Sequence, residues 1–224
     1  FRRVLFRSQY NVPEGSYASD PNDPYARIWE LQDAIATYHQ SNLSVIMDVV
    51  YNHIYSTEHG PFQNTVPDYY YRMEPDGRFQ NGTGVGNETA SEHEMYRKYM
   101  IDSLTHWVKE YQIDGFRFDL MGIHDVTTMN AIREAMDALD PRILLYGEGW
   151  DMGTGLAPED KAKKDNAAQL PRIGFFNDTE RDAIKGAEVY GSIKRGFVSR
   201  KSTENIVARA VLGSAELGHY LSPN

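Results

Sequence analysis

Short apolar runs alternate with segments of helical periodicity along this chain. Runs of apolar and β-branched residues predict strands over residues 44–51, 115–119, 143–150 and 173–178. Apolar residues spaced three and four apart predict helices over residues 24–38, 91–111, 129–139 and 203–213. Ser91 and Glu94 have the spacing of a capping box at the start of the second helix. Strands that alternate with helices are typical of βαβ units, so we expect an α/β fold on a parallel sheet.

Apolar and polar side chains alternate strictly in the second predicted strand. Phe116 and Phe118 share one face, whereas Arg117 and Asp119 share the other. A guanidinium beside a carboxylate would hold that carboxylate ionised and fix its orientation, as a nucleophilic acid requires. A solvated surface strand would show the same alternation, so this segment alone leaves both interpretations open.

Polar residues stand at the end of each predicted strand. In a parallel α/β fold these ends gather functional groups at one edge of the sheet. The residues concerned are Asn52 and His53, Arg117 and Asp119, Glu148 and Trp150, and Asn177 and Asp178. Structural charges would scatter along the sheet instead, so the series favours a functional edge.

Two of these strand-end residues form a candidate acid pair. Asp119 and Glu148 end neighbouring predicted strands, which lie about 4.8 Å apart in a sheet. Two carboxylates facing one cleft can divide glycoside hydrolysis, since one attacks the anomeric carbon while the other protonates the leaving oxygen. Gly147, Gly149 and Trp150 give Glu148 apolar surroundings, which suit the acid role.

Three further residues near the acid pair could each have a structural role or contact a ligand. Asp48 lies in a strand predicted to be buried, and we expect it to brace Arg117 rather than touch a ligand. His53 could donate a hydrogen bond to a sugar hydroxyl or bond to its own loop. Trp150 could stack on a glucose ring or belong to the core.

A shared divalent ion is the alternative interpretation of the acidic strand ends. Asp48, Asp119 and Glu148 could hold such an ion, but it would place a cation beside Arg117, which is unfavourable. The histidines show no metal-ligand spacing, so we expect no metal. The glycine-rich segment 82–87 lacks the preceding strand and the third glycine of a dinucleotide loop, so we expect no cofactor.

Composition restricts the possible partners. The 224 residues carry a formal net charge of -9 at pH 7, so we expect neither nucleic acid nor a membrane surface as a partner. A run of about 18 apolar residues, as a membrane span requires, is absent. The chain has no cysteine, which excludes thiol catalysis but leaves the compartment open between cytoplasm and secretion. The many Gly, Pro and Asn residues of segment 54–90 predict a long loop, and a loop of this length in a compact domain is usually functional or disordered.

The chain resembles the α-amylase superfamily at the motifs that carry these residues. Residues 48–53 (DVVYNH), 115–119 (GFRFD) and 146–150 (YGEGW) are similar, in order and spacing, to the first three signature regions of that superfamily. Further segments resemble the type I pullulanases: residues 10–17 (YNVPEGSY), 66–72 (VPDYYYR), 120–122 (LMG), 176–178 (FND) and 181–186 (RDAIKG).

This resemblance implies a partial (β/α)8 TIM barrel of about strands three to six. It implies retaining cleavage of α-1,6-glucosidic branch linkages in pullulan, amylopectin or related α-glucans, polymeric or oligosaccharide. By motif, Asp119 is the nucleophile and Glu148 the acid/base. The other residues that it implies are His53, Arg117, Trp150, Tyr51 and Asn87 for substrate binding. We expect Asp48 and Asn52 to give structural support.

The resemblance is interrupted at both ends of the chain. The family's YNWGYDP signature would precede Tyr10, where residues 1–8 stand instead. We interpret residues 1–8 as a non-native or scar segment and residues 9–224 as a truncated catalytic barrel domain. The fourth signature region, with a third catalytic carboxylate, would begin after Asn224, so we expect the chain alone to have little or no activity. Isoamylase or glycogen-debranching specificity and a non-catalytic α-glucan-binding relative are the alternatives.

Overall fold

The computed structural model describes residues 10–189, 192–199 and 207, and the chain divides into two compact units after Phe175. The helices and strands of the first unit are α1 (Ala26–Gln40), β1 (Ile46–Val49), α2 (Pro61–Thr65), α3 (Glu94–Tyr111), β2 (Gly115–Phe118), α4 (Val126–Leu139), β3 (Leu144–Gly147) and β4 (Gly174–Phe175). The interpretation of residues 1–8 and all but one position of the predicted helix 203–213 lie outside the described residues.

The first unit is built on a four-stranded parallel sheet. Its spatial order is β1-β2-β3-β4, the same as the order along the chain. α3 lies between β1 and β2 in sequence and α4 between β2 and β3, so two βαβ units follow each other. The predicted α/β fold and parallel sheet are therefore confirmed, and the sheet is a contiguous part of a barrel wall.

The apolar face of β2 is at the centre of the core. Phe116 and Phe118 are completely buried, as the alternation in this strand predicts. α3 packs on the same core through Met100, Leu104 and Trp107, which recur at helical spacing. Arg117 is thereby held on the opposite, partly exposed face of the strand.

The predicted capping box at α3 is wrong. α3 begins after His93, and the Ser91 hydroxyl instead accepts a hydrogen bond from the backbone N–H of Asp125 at 3.0 Å and donates one to its carboxylate at 2.7 Å. Asp125 in turn caps α4, because its carboxylate accepts from the backbone N–H of Thr128 at 2.8 Å. Ser91 is therefore engaged by another helix rather than by its own.

The predicted loop over residues 54–90 contains some regular structure. α2 lies within it, and isolated antiparallel bridges pair Tyr71 with Thr89 and Met73 with Phe79. A loop held by its own bridges can present a defined surface beside the sheet.

The second unit contains α5 (Asp178–Lys185) and an antiparallel hairpin of β5 (Gly186–Val189) and β6 (Ser192–Arg195). The side chain of Asn177 caps α5 by accepting from the backbone N–H of Glu180 at 3.0 Å. The predicted strand over residues 173–178 is thus too long, because its last residues begin a helix. Among the described residues of both units, no helix has the length and apolar character needed to cross a membrane.

Candidate active site

The carboxyl ends of the central strands place the two predicted acids side by side. Phe118 of β2 is in register with Gly147 of β3, and the next residues are Asp119 and Glu148. The ladder continues at this edge, because the backbone N–H of Glu148 donates to the backbone oxygen of Phe118 at 3.0 Å. Both acids therefore leave the sheet at one edge, as the sequence predicts.

One guanidinium joins three carboxylates at this edge. Arg117 Nη1 lies 2.8 Å from Asp48 Oδ1 and 3.1 Å from Asp119 Oδ1, while Arg117 Nη2 lies 2.5 Å from Glu148 Oε1. Because a single side chain touches both acids, Asp119 and Glu148 face the same side of the sheet. Asp48 braces Arg117 as expected, but its side chain is 64% exposed, so the prediction that it is buried is wrong.

Arg117 keeps its charge in these surroundings. Partial burial lowers the pKa of its guanidinium, but the ion pairs with Asp48, Glu148 and Asp119 outweigh that effect and raise the pKa overall. The guanidinium takes the position that a shared metal ion would have taken among the three carboxylates. In the part of the chain that the structure describes, no group of three or more acidic, histidine or cysteine side chains could hold a metal ion.

Glu148 is held by donors rather than by apolar groups alone. Arg117 donates to Oε1, and the backbone N–H of Leu120 donates to Oε2 at 3.0 Å. The side chain is 20% exposed, so it faces the edge of the sheet and not the core. The predicted apolar surroundings of Glu148 are therefore incomplete, since two donors fix the positions of both carboxylate oxygens.

Asn52 links the end of β1 to Asp119. Its side-chain amide donates to both the backbone oxygen and the carboxylate of Asp119, and its side-chain oxygen contacts Nδ1 of His53. His53 is 3% exposed. The structure thus places Asn52 in a supporting position and places His53 behind it, within its own loop.

Two residues with predicted substrate contacts lie inside the protein. Tyr51 is buried, and its hydroxyl is 2.7 Å from the hydroxyl of Ser103 on α3. The side chain of Asn87 is also buried, and it bonds the backbone N–H and carbonyl of Ile54 at 3.0 and 2.9 Å. Both residues therefore stabilise loops and core, and their predicted contact with substrate stays a prediction.

Trp150 is partly buried beside the acid pair. The ammonium of Lys164 lies 6.0 Å from the centre of its ring, at the limit of a cation–π contact. The next residue, Asp151, is bound by Lys163 at 2.8 Å and Lys161 at 3.0 Å, and hydrogen bonds from these two ammonium groups lower the pKa of Asp151. The segment that follows Glu148 is thus anchored by the ion pairs of Asp151, and Lys164 lies over one face of the Trp150 indole.

A buried arginine that the sequence did not single out connects three loops. Arg72 donates to the carboxylate of Glu88 at 3.1 Å, to the backbone oxygen of Ile123 at 2.9 Å and to the hydroxyl of Thr154 at 2.7 Å. Arg72 also forks onto Glu92, with its closest contact at 2.7 Å. Its only sequence signal is a charge within an aromatic run, and the partners lie far apart along the chain.

A second missed residue is His124, which is completely buried. Burial, with the nearby charge of Arg72, lowers the pKa of the His124 imidazole to about 3. Among the described residues, neither of its ring nitrogens has a hydrogen-bond partner. His124 is therefore held neutral, and its two polar ring nitrogens are buried at a cost next to the segment that follows Asp119.

The sequence is similar to those of known pullulanases over most of the chain. No protein-family model matches it. It is 53% identical over 175 residues to a pullulanase of Bacillus subtilis strain 168, an alignment of 78% of this chain and 24% of the relative. It is 41% identical over 209 residues to pullulanase 1 of Arabidopsis thaliana chloroplasts, covering 85% of this chain and 21% of the relative.

Solved structures of pullulanases also superpose on nearly the whole chain. A pullulanase of Paenibacillus barengoltzii, crystallised with maltohexaose and α-cyclodextrin, superposes with a TM-score of 0.91 at 52% identity, over 95% of this chain and 33% of that one. A type I pullulanase of Bacillus subtilis strain 168 in complex with maltose superposes with a TM-score of 0.87 at 46% identity, over 92% of this chain and 30% of that one. The chain spans about a quarter of the first relative and a third of the first structure.

The parallel sheet and the carboxylates at its edge define a segment of an α-amylase-type (β/α)8 barrel. Within that class, the chain belongs to the type I pullulanases over the residues that it spans.

Proposed function

We propose that the protein at its natural length is a retaining glycoside hydrolase that cleaves α-1,6-glucosidic branch linkages in pullulan, amylopectin or related α-glucans. The observation that carries this function is the contact of one guanidinium, Arg117, with both Asp119 and Glu148 at neighbouring strand ends. The pullulanase relatives, and the maltohexaose and maltose bound by two of the solved structures, support an α-glucan as substrate.

In the first step Asp119 attacks the anomeric carbon of the sugar. The bond from that carbon to the bridging oxygen breaks, and Glu148 gives its proton to this oxygen as the leaving sugar departs. Asp119 thereby loses its negative charge while Glu148 acquires one. Because both are partners of Arg117, the charge moves from one side of the guanidinium to the other, and the cation stays compensated throughout.

In the second step Glu148 takes a proton from water as the water attacks the glycosyl ester on Asp119. The ester bond breaks, the sugar leaves with its original anomeric configuration, and both acids return to their first state. Asn52 and Asp48 hold the nucleophile and the guanidinium in place. Arg117 contacts the sugar bound to Asp119, and Trp150 packs against the sugar on the leaving-group side. His53 is buried and fixes the side chain of Asn52, whose amide holds Asp119.

Hydrolysis of pullulan tests this function. Reducing ends released by the protein at its natural length are measured, and NMR identifies the anomer formed first, which we expect to be α. Asp119→Asn and Glu148→Gln each lower kcat by about 10³-fold or more, whereas Asp33→Asn, at an exposed position of α1, serves as a control with unchanged rate. A β-anomer, or full activity in Asp119→Asn, would refute the proposal.

The same assay separates the alternatives. Maltotriose release from pullulan is compared with debranching of glycogen. Preference for pullulan supports the pullulanase function, whereas preference for glycogen indicates isoamylase-type specificity. Binding of maltotriose without any turnover would indicate a non-catalytic α-glucan-binding protein.

A further inference from the structure

The turn after β2 holds Glu148 by its backbone and its side chain together. The backbone N–H of Leu120 donates to Glu148 Oε2 at 3.0 Å, and the backbone N–H of Gly122 donates to the Glu148 carbonyl at 3.1 Å. The turn directly follows Asp119, so it connects the two acids through only a few bonds.

Leu120 adopts a backbone conformation that is uncommon for its type. Its φ is 42° and its ψ 49°, in the left-handed region. A leucine takes this conformation only where other contacts compensate for its cost. Here the conformation directs the N–H of Leu120 to the carboxylate of Glu148.

Gly122 brings the same turn against the chain that follows Glu148. A Cβ atom at Gly122 would lie 1.9 Å from the backbone oxygen of Trp150, so only glycine fits. The turn is therefore confined on both sides of the acid. This close approach is independent of the hydrogen bonds and of the conformation of Leu120.

We propose that Leu120 is a positioning residue, whose backbone N–H fixes the Oε2 atom of Glu148 so that Oε1 carries the proton to the leaving oxygen. This inference rests on the proposed function. Oε2 is the oxygen with the fixed backbone donor, whereas the donor at Oε1 belongs to a side chain, Arg117, which has two other carboxylates to pair with. A proton can therefore be accommodated on Oε1 without moving the turn.

A single-atom change tests the role of this N–H. Replacing Leu120 by its α-hydroxy acid analogue puts an ester oxygen in place of the N–H and keeps the side chain. The matched control is the α-hydroxy acid analogue of Ile123, whose N–H donates to the Leu120 carbonyl at 2.9 Å in the same turn and not to Glu148. Both are made in the protein at its natural length.

The readout is kcat/KM on two substrates, pullulan and α-maltotriosyl fluoride, because this constant reports the steps up to formation of the glycosyl ester and not the second step, which both substrates share. Fluoride leaves with little acid assistance, so a defect in the acid lowers kcat/KM for pullulan alone, whereas a defect in Asp119 lowers it for both substrates. We expect the Leu120 ester to lower kcat/KM on pullulan by about 10- to 100-fold with that on the fluoride within about threefold, and the Ile123 ester to leave the ratio of the two values unchanged.

A pair of ordinary substitutions provides the second test. Leu120→Ile keeps the volume but adds a branch at Cβ, which disfavours the left-handed conformation, whereas Leu120→Met keeps an unbranched Cβ. We expect Leu120→Ile, and not Leu120→Met, to reproduce the selective loss on pullulan. If the unaltered protein cleaves both substrates and the Leu120 ester keeps the ratio of the two kcat/KM values, this inference alone is refuted. If the unaltered protein cleaves neither, the proposed function fails and this inference with it.

Discussion

Asn52 donates two hydrogen bonds to Asp119, one to its backbone oxygen at 2.7 Å and one to its carboxylate Oδ2 at 3.1 Å. Arg117 contacts the other carboxylate oxygen, Oδ1, at 3.1 Å. Both oxygens of Asp119 thus have a donor, one from the neighbouring strand end and one from its own strand. The carboxylate cannot rotate without losing one of them, so it is oriented before a ligand arrives.

Substitution of Asn52 tests this orientation. Asn52→Leu removes both hydrogen bonds that the Asn52 amide donates to Asp119 and keeps a similar side-chain volume. We expect kcat on pullulan to fall by about 10- to 100-fold with KM within about threefold. The matched control is Asn64→Leu, at an exposed position of α2, where kcat stays unchanged. Steady-state kinetics measure both constants, and a change confined to KM would show that Asn52 binds substrate rather than orients Asp119.

Arg117→Lys tests whether the fork or merely the charge of this residue matters. An ammonium cannot span Asp119 and Glu148 as the guanidinium does, so we expect kcat on pullulan to fall by about 10²-fold or more. Arg78→Lys, in an exposed pair with Asp76, is the control and retains the rate. An Arg117→Lys protein with kcat near that of the unaltered protein would contradict a shared fork.

Arg72→Met tests the buried connection between loops. Its removal leaves Glu88, which is completely buried, without its cationic partner, and we expect a loss of about 3–5 kcal/mol in the free energy of unfolding. The double variant Arg72→Met with Glu88→Gln should recover part of that loss, because no buried charge then stands alone. Denaturant titration measures both. Arg78→Met at the surface is the control, with a change under about 1 kcal/mol.

His124 predicts a pH dependence of stability. Its pKa in the folded protein is about 3, below the value of about 6.5 in an unfolded chain. Its contribution to stability is therefore complete above pH 6.5 and falls as the pH drops towards 3, because the unfolded state then binds a proton that the folded state does not. The loss attributable to His124 reaches on the order of a few kcal/mol near pH 3.

His124→Met should remove this part of the pH dependence. The free energy of unfolding is measured by denaturant at pH 7, 5.5 and 4, and the variant should lose less stability over that range than the unaltered protein. Substitution of His59, which is exposed, should leave the slope as it was. If the free energy of unfolding falls equally with pH in His124→Met and in the unaltered protein, the His124 imidazole does not cause the loss of stability in acid.

The sequence was sufficient for the order of the strands and for the acid pair. Strict alternation in β2 gives the faces of Phe116 and Arg117, and one βαβ unit between Asp119 and Glu148 makes their strands neighbours. These inferences depend on periodicity and connectivity, both of which are local properties. The brace of Asp48 on Arg117 follows from the same parallel register.

The errors and omissions concern contacts between residues that are distant along the chain. Ser91 has the spacing of a helix cap, but Asp125 from another segment engages its hydroxyl. The burial of Tyr51 and the left-handed backbone of Leu120 follow from packing around them, and neither residue type signals it. Arg72 looks like an ordinary surface charge until its partners in other loops are known.

The dependence of three carboxylates on one arginine has an evolutionary consequence. A single codon change at position 117 would remove the contacts to Asp48, Asp119 and Glu148 together, while the apolar face of β2 and its neighbours would keep the fold. Under the proposed function, turnover can therefore be lost in one step while the scaffold remains, so an α-glucan-binding protein without catalysis lies one codon change away.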